Sequence, residues 1–167
     1  MATTPAYLPA NPKVTSCLNC RGPEQYAAVL AQFDVLLNER YHAREGLTFC
    51  NIFVWDVTRA MSCEIPHWWL SHELNANAVY DWLRVSGPAY GWQPCTADEA
   101  AASASKGEPA VVVWKNMTGK SGHIAVVVPT PAGAEGVHIA QAGATNFPLG
   151  AVGHGFGNRP VRYWRHD

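Results

Sequence analysis

Two residues of this 167-residue chain have types and settings suited to covalent chemistry, a cysteine opening an apolar run and a histidine opening a β-branched one. Cys50 lies in Thr-Phe-Cys-Asn-Ile-Phe-Val-Trp-Asp-Val-Thr-Arg-Ala-Met, residues 48–61. There Ile52, Phe53, Val54, Val57, Ala60 and Met61 supply more apolar surface than one exposed helix face needs, so a central, buried helix is expected to begin at the cysteine. A thiol at a helix N-terminus meets unpaired N–H groups and the positive end of the helix dipole, and both favour the thiolate. An unperturbed thiol, with a pKa of about 8.5, is only slightly ionised at neutral pH, so a lowered value is expected here. His123 follows the turn Gly119-Lys-Ser-Gly122 and starts the run Ile124–Val128, where it can serve as the base. Such a base needs a third group to orient it, and the next strand offers Gln141, then Asn146, then His138, in the order that strand register favours. The chemistry this set suits is acyl transfer, with the thiolate attacking an amide carbonyl and the imidazole protonating the departing amine.

The elements that must position these groups follow in order. Residues 1–22, with Pro5, Pro9, Pro12 and Gly22 and no apolar period, read as an extended arm ahead of one domain spanning 23–167. Pro23 and Glu24 open an amphipathic helix carrying Tyr26, Val29, Leu30, Phe33, Leu36 and Leu37. A polar loop, Arg40–Gly46, then delivers the chain to Cys50, and Pro66 is expected to stop the Cys50 helix. Asn75–Leu83 reads as a short helix, and Thr96-Ala-Asp-Glu99 has the form of a capping box for a helix ended by Gly107. From there the period changes to two. Ala110–Trp114, Ile124–Val128 and Val137–Ala140 are expected to form an antiparallel meander, with Val161–Trp164 as an edge strand and Gly150–Gly157 as a flexible loop by the cleft. The expected class is α+β, with helices first and sheet last.

Composition narrows the function. An apolar fraction of 48% with 15% charged residues describes a packed globular chain, and a formal net charge of -1 gives no general attraction to nucleic acid or anionic membrane. No signal-peptide pattern and no membrane-length apolar run is present, so synthesis in the cytoplasm is expected. The scattered histidines form no His-Glu-x-x-His pair, so neither metal nor cofactor is expected. Five cysteines leave at least one unpaired within the chain, expected to be Cys50; Cys63 and Cys95 read as packing residues. Cys17-Leu-Asn-Cys20 has no matching second pair for zinc and reads as two ordinary thiols ahead of a local disulfide.

The order Cys-Asn-x-Phe-Val at a helix start, Gly107-Glu-Pro109 before a strand, then Ser-Gly-His-Ile-Ala-Val-Val and a strand ending in a polar residue resembles the papain-like peptidoglycan hydrolases of the CHAP and NlpC/P60 superfamily, over about residues 45–147. The resemblance implies a papain-like core, Cys50 as nucleophile, His123 as general base and a polar third residue. It also implies cleavage of amide bonds in cell-wall peptides, by an endopeptidase or an N-acetylmuramoyl-L-alanine amidase. Trp68, Trp69, Tyr41 and His42 are the expected substrate contacts, and Tyr41, His42 and Thr48 the places to seek a second oxyanion donor besides the Cys50 N–H. A type VI effector met by an immunity protein, or a phage lysin, is the expected biological setting, with delivery to the wall or periplasm of a target cell. Two other readings stand beside it: a papain-like deamidase or transferase acting on protein, and a noncatalytic module binding through Trp68, Trp69, Tyr90 and Trp92.

Overall fold

The structure, a computed structural model, describes residues 6–167. The chain forms an α+β fold in which helices cover a six-stranded, wholly antiparallel sheet. The elements are α1 (Pro23–Phe33), α2 (Cys50–Ala60), β1 (Trp68–Trp69), β2 (His72–Glu73), α3 (Ala76–Val85), β3 (Trp92–Cys95), α4 (Ala97–Lys106), β4 (Ala110–Trp114), β5 (His123–Val128), β6 (His138–Gln141), β7 (Phe147–Ala151), α5 (Val152–Phe156) and β8 (Arg162–His166). Strand order is β3-β8-β4-β5-β6-β7, with β1 and β2 forming a separate hairpin.

The continuous β-branched runs predict the centre of the sheet, because a strand covered on both faces has no need to alternate. Ala110–Val113 and Ile124–Val128 are buried accordingly. The Cys50 helix is as central as its sequence suggests, packing on β5 with all but Asn51 and Arg59 buried. Each of its large apolar side chains contributes about 1.5–3 kcal/mol by leaving water. The capping box forms, with Thr96 and Glu99 bonded reciprocally, and Gly107 ends α4 at φ 83. No side chain fits at Gly107, because its missing Cβ is where the Gly22 backbone passes.

Several boundaries differ from the sequence reading. Helix α1 stops at Phe33, where Asp34 turns left-handed (φ 41), so Leu36 and Leu37 are exposed rather than core-facing. Helix α2 ends at Ala60, before Pro66, by a turn through Ser62 at φ 55. Residues 162–166 are no edge: β8 inserts between β3 and β4, pairing Val112 with Tyr163 and Pro94 with Trp164, because β4 would otherwise leave a buried edge unbonded. Nor is 150–157 a loose loop, since β7 extends the sheet as one of its two edges, β3 being the other, and α5 folds back over β6. A proline inside Phe-Pro-Leu-Gly-Ala masks the strand signal and fits an edge position.

The described part of the arm, residues 6–22, is laid over the domain. Ser16 N–H donates to Ala60 O (2.8 Å), Gln32 bonds Val14 at both its N–H and its carbonyl, and Arg21 donates to Met61 O and His166 O. Cys17 and Cys20 form a disulfide, so the expectation of two ordinary thiols is overturned; Cys50, Cys63 and Cys95 are free. Among the described residues no helix is long and apolar enough to cross a membrane.

Tyr7 of the arm stacks on His67 (5.3 Å between centroids), and Trp55 and Trp68 close the box around that ring. Neither His67 nitrogen has a hydrogen-bond partner, and burial, with Arg40 adding to it, pushes its pKa down to about 4. Glu73 lies 3.7 Å from Nε2, but its carboxylate is 42% exposed and water weakens the pull. The unfolded chain therefore takes up this proton near pH 6.5 and the folded one only near pH 4. Stability present above pH 6.5 is lost as pH falls through that window, by roughly 3 kcal/mol from this group alone. His67→Phe is expected to remove that part of the pH dependence, read from urea unfolding of both proteins at pH 7 and pH 4.5.

Candidate active site

Helix α2 starts without a side-chain cap: Phe49 occupies the N-cap and makes no capping bond, whereas Asn75 and Thr96 cap α3 and α4. Its first N–H groups are therefore left without a side-chain acceptor, and Cys50 is the first residue of that turn. The N–H groups of Ile124, Asn51 and Cys50 itself act on the thiol and favour its ionised form, but burial outweighs them and pushes the pKa up. This corrects the expected lowering. Cys50 is 4% exposed, so desolvation of a thiolate costs more than the helix terminus returns. Ile124 directly follows His123, which puts the sulfur at the end of β5 from which the imidazole projects.

The imidazole is oriented by Gln141. Register pairs Val126 with Ala140 and Val127 with Ile139; continued by one step it sets Gln141 opposite Ala125, on the face that His123 shares. His123 Nε2 and Gln141 Oε1 are 2.8 Å apart. The amide nitrogen of Gln141 donates to Thr145 O (2.9 Å), so its oxygen is the atom facing the ring, and an oxygen accepts. Nε2 must then carry the proton, and Nδ1 is the basic nitrogen. Burial lowers the His123 pKa, the Gln141 bond opposes this, and the charge of Arg159 adds to the lowering. At neutral pH the resting pair is thus thiol and neutral imidazole.

Glycines make the room. A Cβ at Gly155 of α5 would run into Gln141 Oε1, and one at Gly143 would lie 3.3 Å from His123 Cε1. Phe156 packs its ring 4.8 Å from the imidazole.

The remaining expected site residues fall elsewhere. Asn146 does not reach His123: its Oδ1 accepts from Gly143 N–H (2.9 Å) and its Nδ2 donates to Val35 O and Tyr41 O (both 3.0 Å), stapling the β6–β7 turn to the loop before α2. His138 sits at the far end of β6, paired with Val128. Tyr41 is buried, and its hydroxyl donates to Asp56 (2.7 Å), so its side chain faces the interior and not an open cleft. His42 is exposed, with Nε2 3.0 Å from Leu36 O. It lines a groove of about 1110 Å³ with Tyr7, Arg40, Arg44 and Phe49, a groove that neither Cys50 nor His123 lines.

Trp68 is 52% exposed, whereas Trp69 is half-buried against Trp82 and Tyr90, and Trp92 is fully buried with its N–H donating to Cys63 O. The surface expected of a binding module therefore lacks Trp92. Trp68 stands on the β1–β2 hairpin, whose two turn residues, Leu70 and Ser71, are both left-handed (φ 47 and 68). That hairpin is rooted beside Cys50, since Asn51 Nδ2 donates to Leu74 O (3.0 Å).

Sequence reasoning missed the buried group Arg40, Tyr41 and Asp56, for which the aspartate inside Ile-Phe-Val-Trp-Asp-Val is the available signal. It also missed Gly143, Gly155 and Arg159, whose roles depend on the return of β7 and α5. Among the described residues no three His, Cys, Asp or Glu side chains gather to hold a metal ion. Neither a family model nor a curated protein sequence matches this chain.

Proposed function

We propose that the protein is a papain-like cysteine hydrolase that cleaves amide bonds of bacterial peptidoglycan peptides. The observation that carries the reading is one arrangement: a thiol at an uncapped helix start, acted on by the backbone N–H of Ile124, the residue that follows a histidine whose Nε2 is tied to Gln141. Packing of α2 on β5 supports a papain-like core, and the likeness of Cys50-Asn-Ile-Phe-Val54 and Ser121-Gly-His-Ile-Ala-Val-Val127 to CHAP and NlpC/P60 hydrolases supports the substrate class.

In this mechanism Nδ1 of His123 removes the thiol proton as the sulfur attacks the amide carbonyl, because the resting pair is neutral. The Cys50 N–H holds the oxyanion. His123 returns the proton to the departing amine, leaving a thioester on Cys50, and then draws a proton from the water that hydrolyses it. Trp68 is the substrate wall. Delivery to a target cell wall, as a type VI effector met by an immunity protein or as a phage lysin, belongs to the same proposal. The Cys17–Cys20 disulfide supports a working place outside a reducing cytoplasm. Release of soluble fragments from purified sacculi by wild-type protein, and none by Cys50→Ala, is the test; intact sacculi under wild-type protein count against the reading.

Gln141→Ala and Gly155→Ala are both expected to lower kcat, on the order of a hundredfold, with little change in KM, the first by removing the partner of Nε2 and the second by displacing it. The imidazole ¹⁵N spectrum checks the cause. Wild type should show His123 as a single Nε2–H tautomer and the variants a mixture.

A further inference from the structure

We infer that Arg159 forms a carboxylate-binding subsite beside His123, selecting substrates whose amine-side residue carries a free carboxylate; this rests on the hydrolytic reading of Cys50 and His123. The guanidinium lies 4.7 Å over the ring of Trp114, and its Nη1 donates to Phe156 O (3.1 Å). Both supports also bound the imidazole, Trp114 as the cross-strand partner of His123 and Phe156 as the ring packed against it. Arg159 is thereby fixed next to the base while remaining exposed.

No carboxylate is spent on it. Among the described residues Arg40 pairs with Asp56, Lys115 with Asp81 and Arg165 with Asp167, whereas Arg159 has no acidic partner. An arginine stacked on an aromatic face keeps its in-plane donors free, in the fork geometry that matches a carboxylate. Its charge already acts on the imidazole, helping to hold the pKa of His123 low. Since His123 protonates the leaving amine, groups around it face the amine half of the substrate. A carboxylate there offsets the charge of Arg159 at the moment the imidazole becomes cationic.

Alkylation of Cys50 at pH 8, where His123 is neutral, tests this without the natural substrate. Rates with anionic iodoacetate and neutral iodoacetamide are read by peptide mapping, so that only Cys50 is followed. The ratio of the iodoacetate rate to the iodoacetamide rate is expected to fall about fivefold in Arg159→Gln, the scale of one partly exposed ion pair. A ratio that is the same in wild type and Arg159→Gln overturns the subsite, while Cys50 labelling that still depends on His123 leaves the hydrolytic reading standing. If Cys50 takes up neither reagent, or reacts as fast in His123→Ala as in wild type, the hydrolytic reading fails and the subsite fails with it.

Discussion

Cys50→Ala is expected to lower amide cleavage by about four to six orders of magnitude, the loss seen when a nucleophile that acts as one unit with its base is removed. His123→Ala should cost nearly as much, and the double variant little more than either single one, because neither group works alone. The fold is expected to survive, since Cys50→Ala removes one small buried atom group from a helix held by its other side chains. The pH profile follows from the directions of the two pKa shifts. His123 must be neutral to accept the thiol proton, and burial holds its pKa below the ordinary 6.5, so the acid limb of kcat/KM should lie below pH 6.5. The thiol is held above its ordinary value, so no ion pair is expected in the resting protein, and Cys50 alkylation should keep rising above neutral pH rather than level off at pH 6 to 7. Steady-state rates from pH 4.5 to 9 check both.

Asp56→Ala should be the most destabilising single change of those considered, by about 3–5 kcal/mol, because it takes the carboxylate away from the buried Arg40 guanidinium and leaves the Tyr41 hydroxyl without its acceptor. Asp56 is 2% exposed and accepts from Arg40 Nε (2.7 Å), Arg40 Nη2 (3.1 Å) and the Tyr41 hydroxyl (2.7 Å). For a chain of this length each kcal/mol moves Tm by about 2–4 °C, so a drop of roughly 10 °C is the expected outcome by thermal unfolding. The damage should reach the site by a traceable route. Tyr41 O is held by Asn146, Asn146 holds the Gly143 N–H, and Gly143 lies against His123. Asp56→Asn keeps the acceptor for Tyr41 and should fall between wild type and Asp56→Ala.

How far the sequence carries the molecule depends on how local each signal is. The Cys50 helix, the capping box at Thr96 and the β-branched runs of β4 and β5 are each written within about ten residues, and all appear close to where they are expected. Gln141 as the partner of His123 is also legible, because side chains two residues apart on neighbouring antiparallel strands share a face. Other features depend on distant chain. Asn146 stands second to Gln141 as a partner for His123 until the loop around Tyr41 claims its amide. Trp92 looks like surface until β3 pairs with β8, and 162–166 looks like an edge until β3 covers it. The sign of the Cys50 shift was illegible for a different reason: a helix terminus is visible in sequence, whereas the depth of burial opposing it belongs to the folded chain.

Digestion of purified sacculi in ¹⁸O-labelled water, by wild-type protein and by Cys50→Ala, tests the central claim most directly. Fragments separated by mass should show, with wild type alone, a new amino end paired with a new carboxyl end carrying one ¹⁸O, as hydrolysis of a thioester on Cys50 requires. The same ends formed at the same rate by Cys50→Ala, or no new ends with wild type, would contradict it.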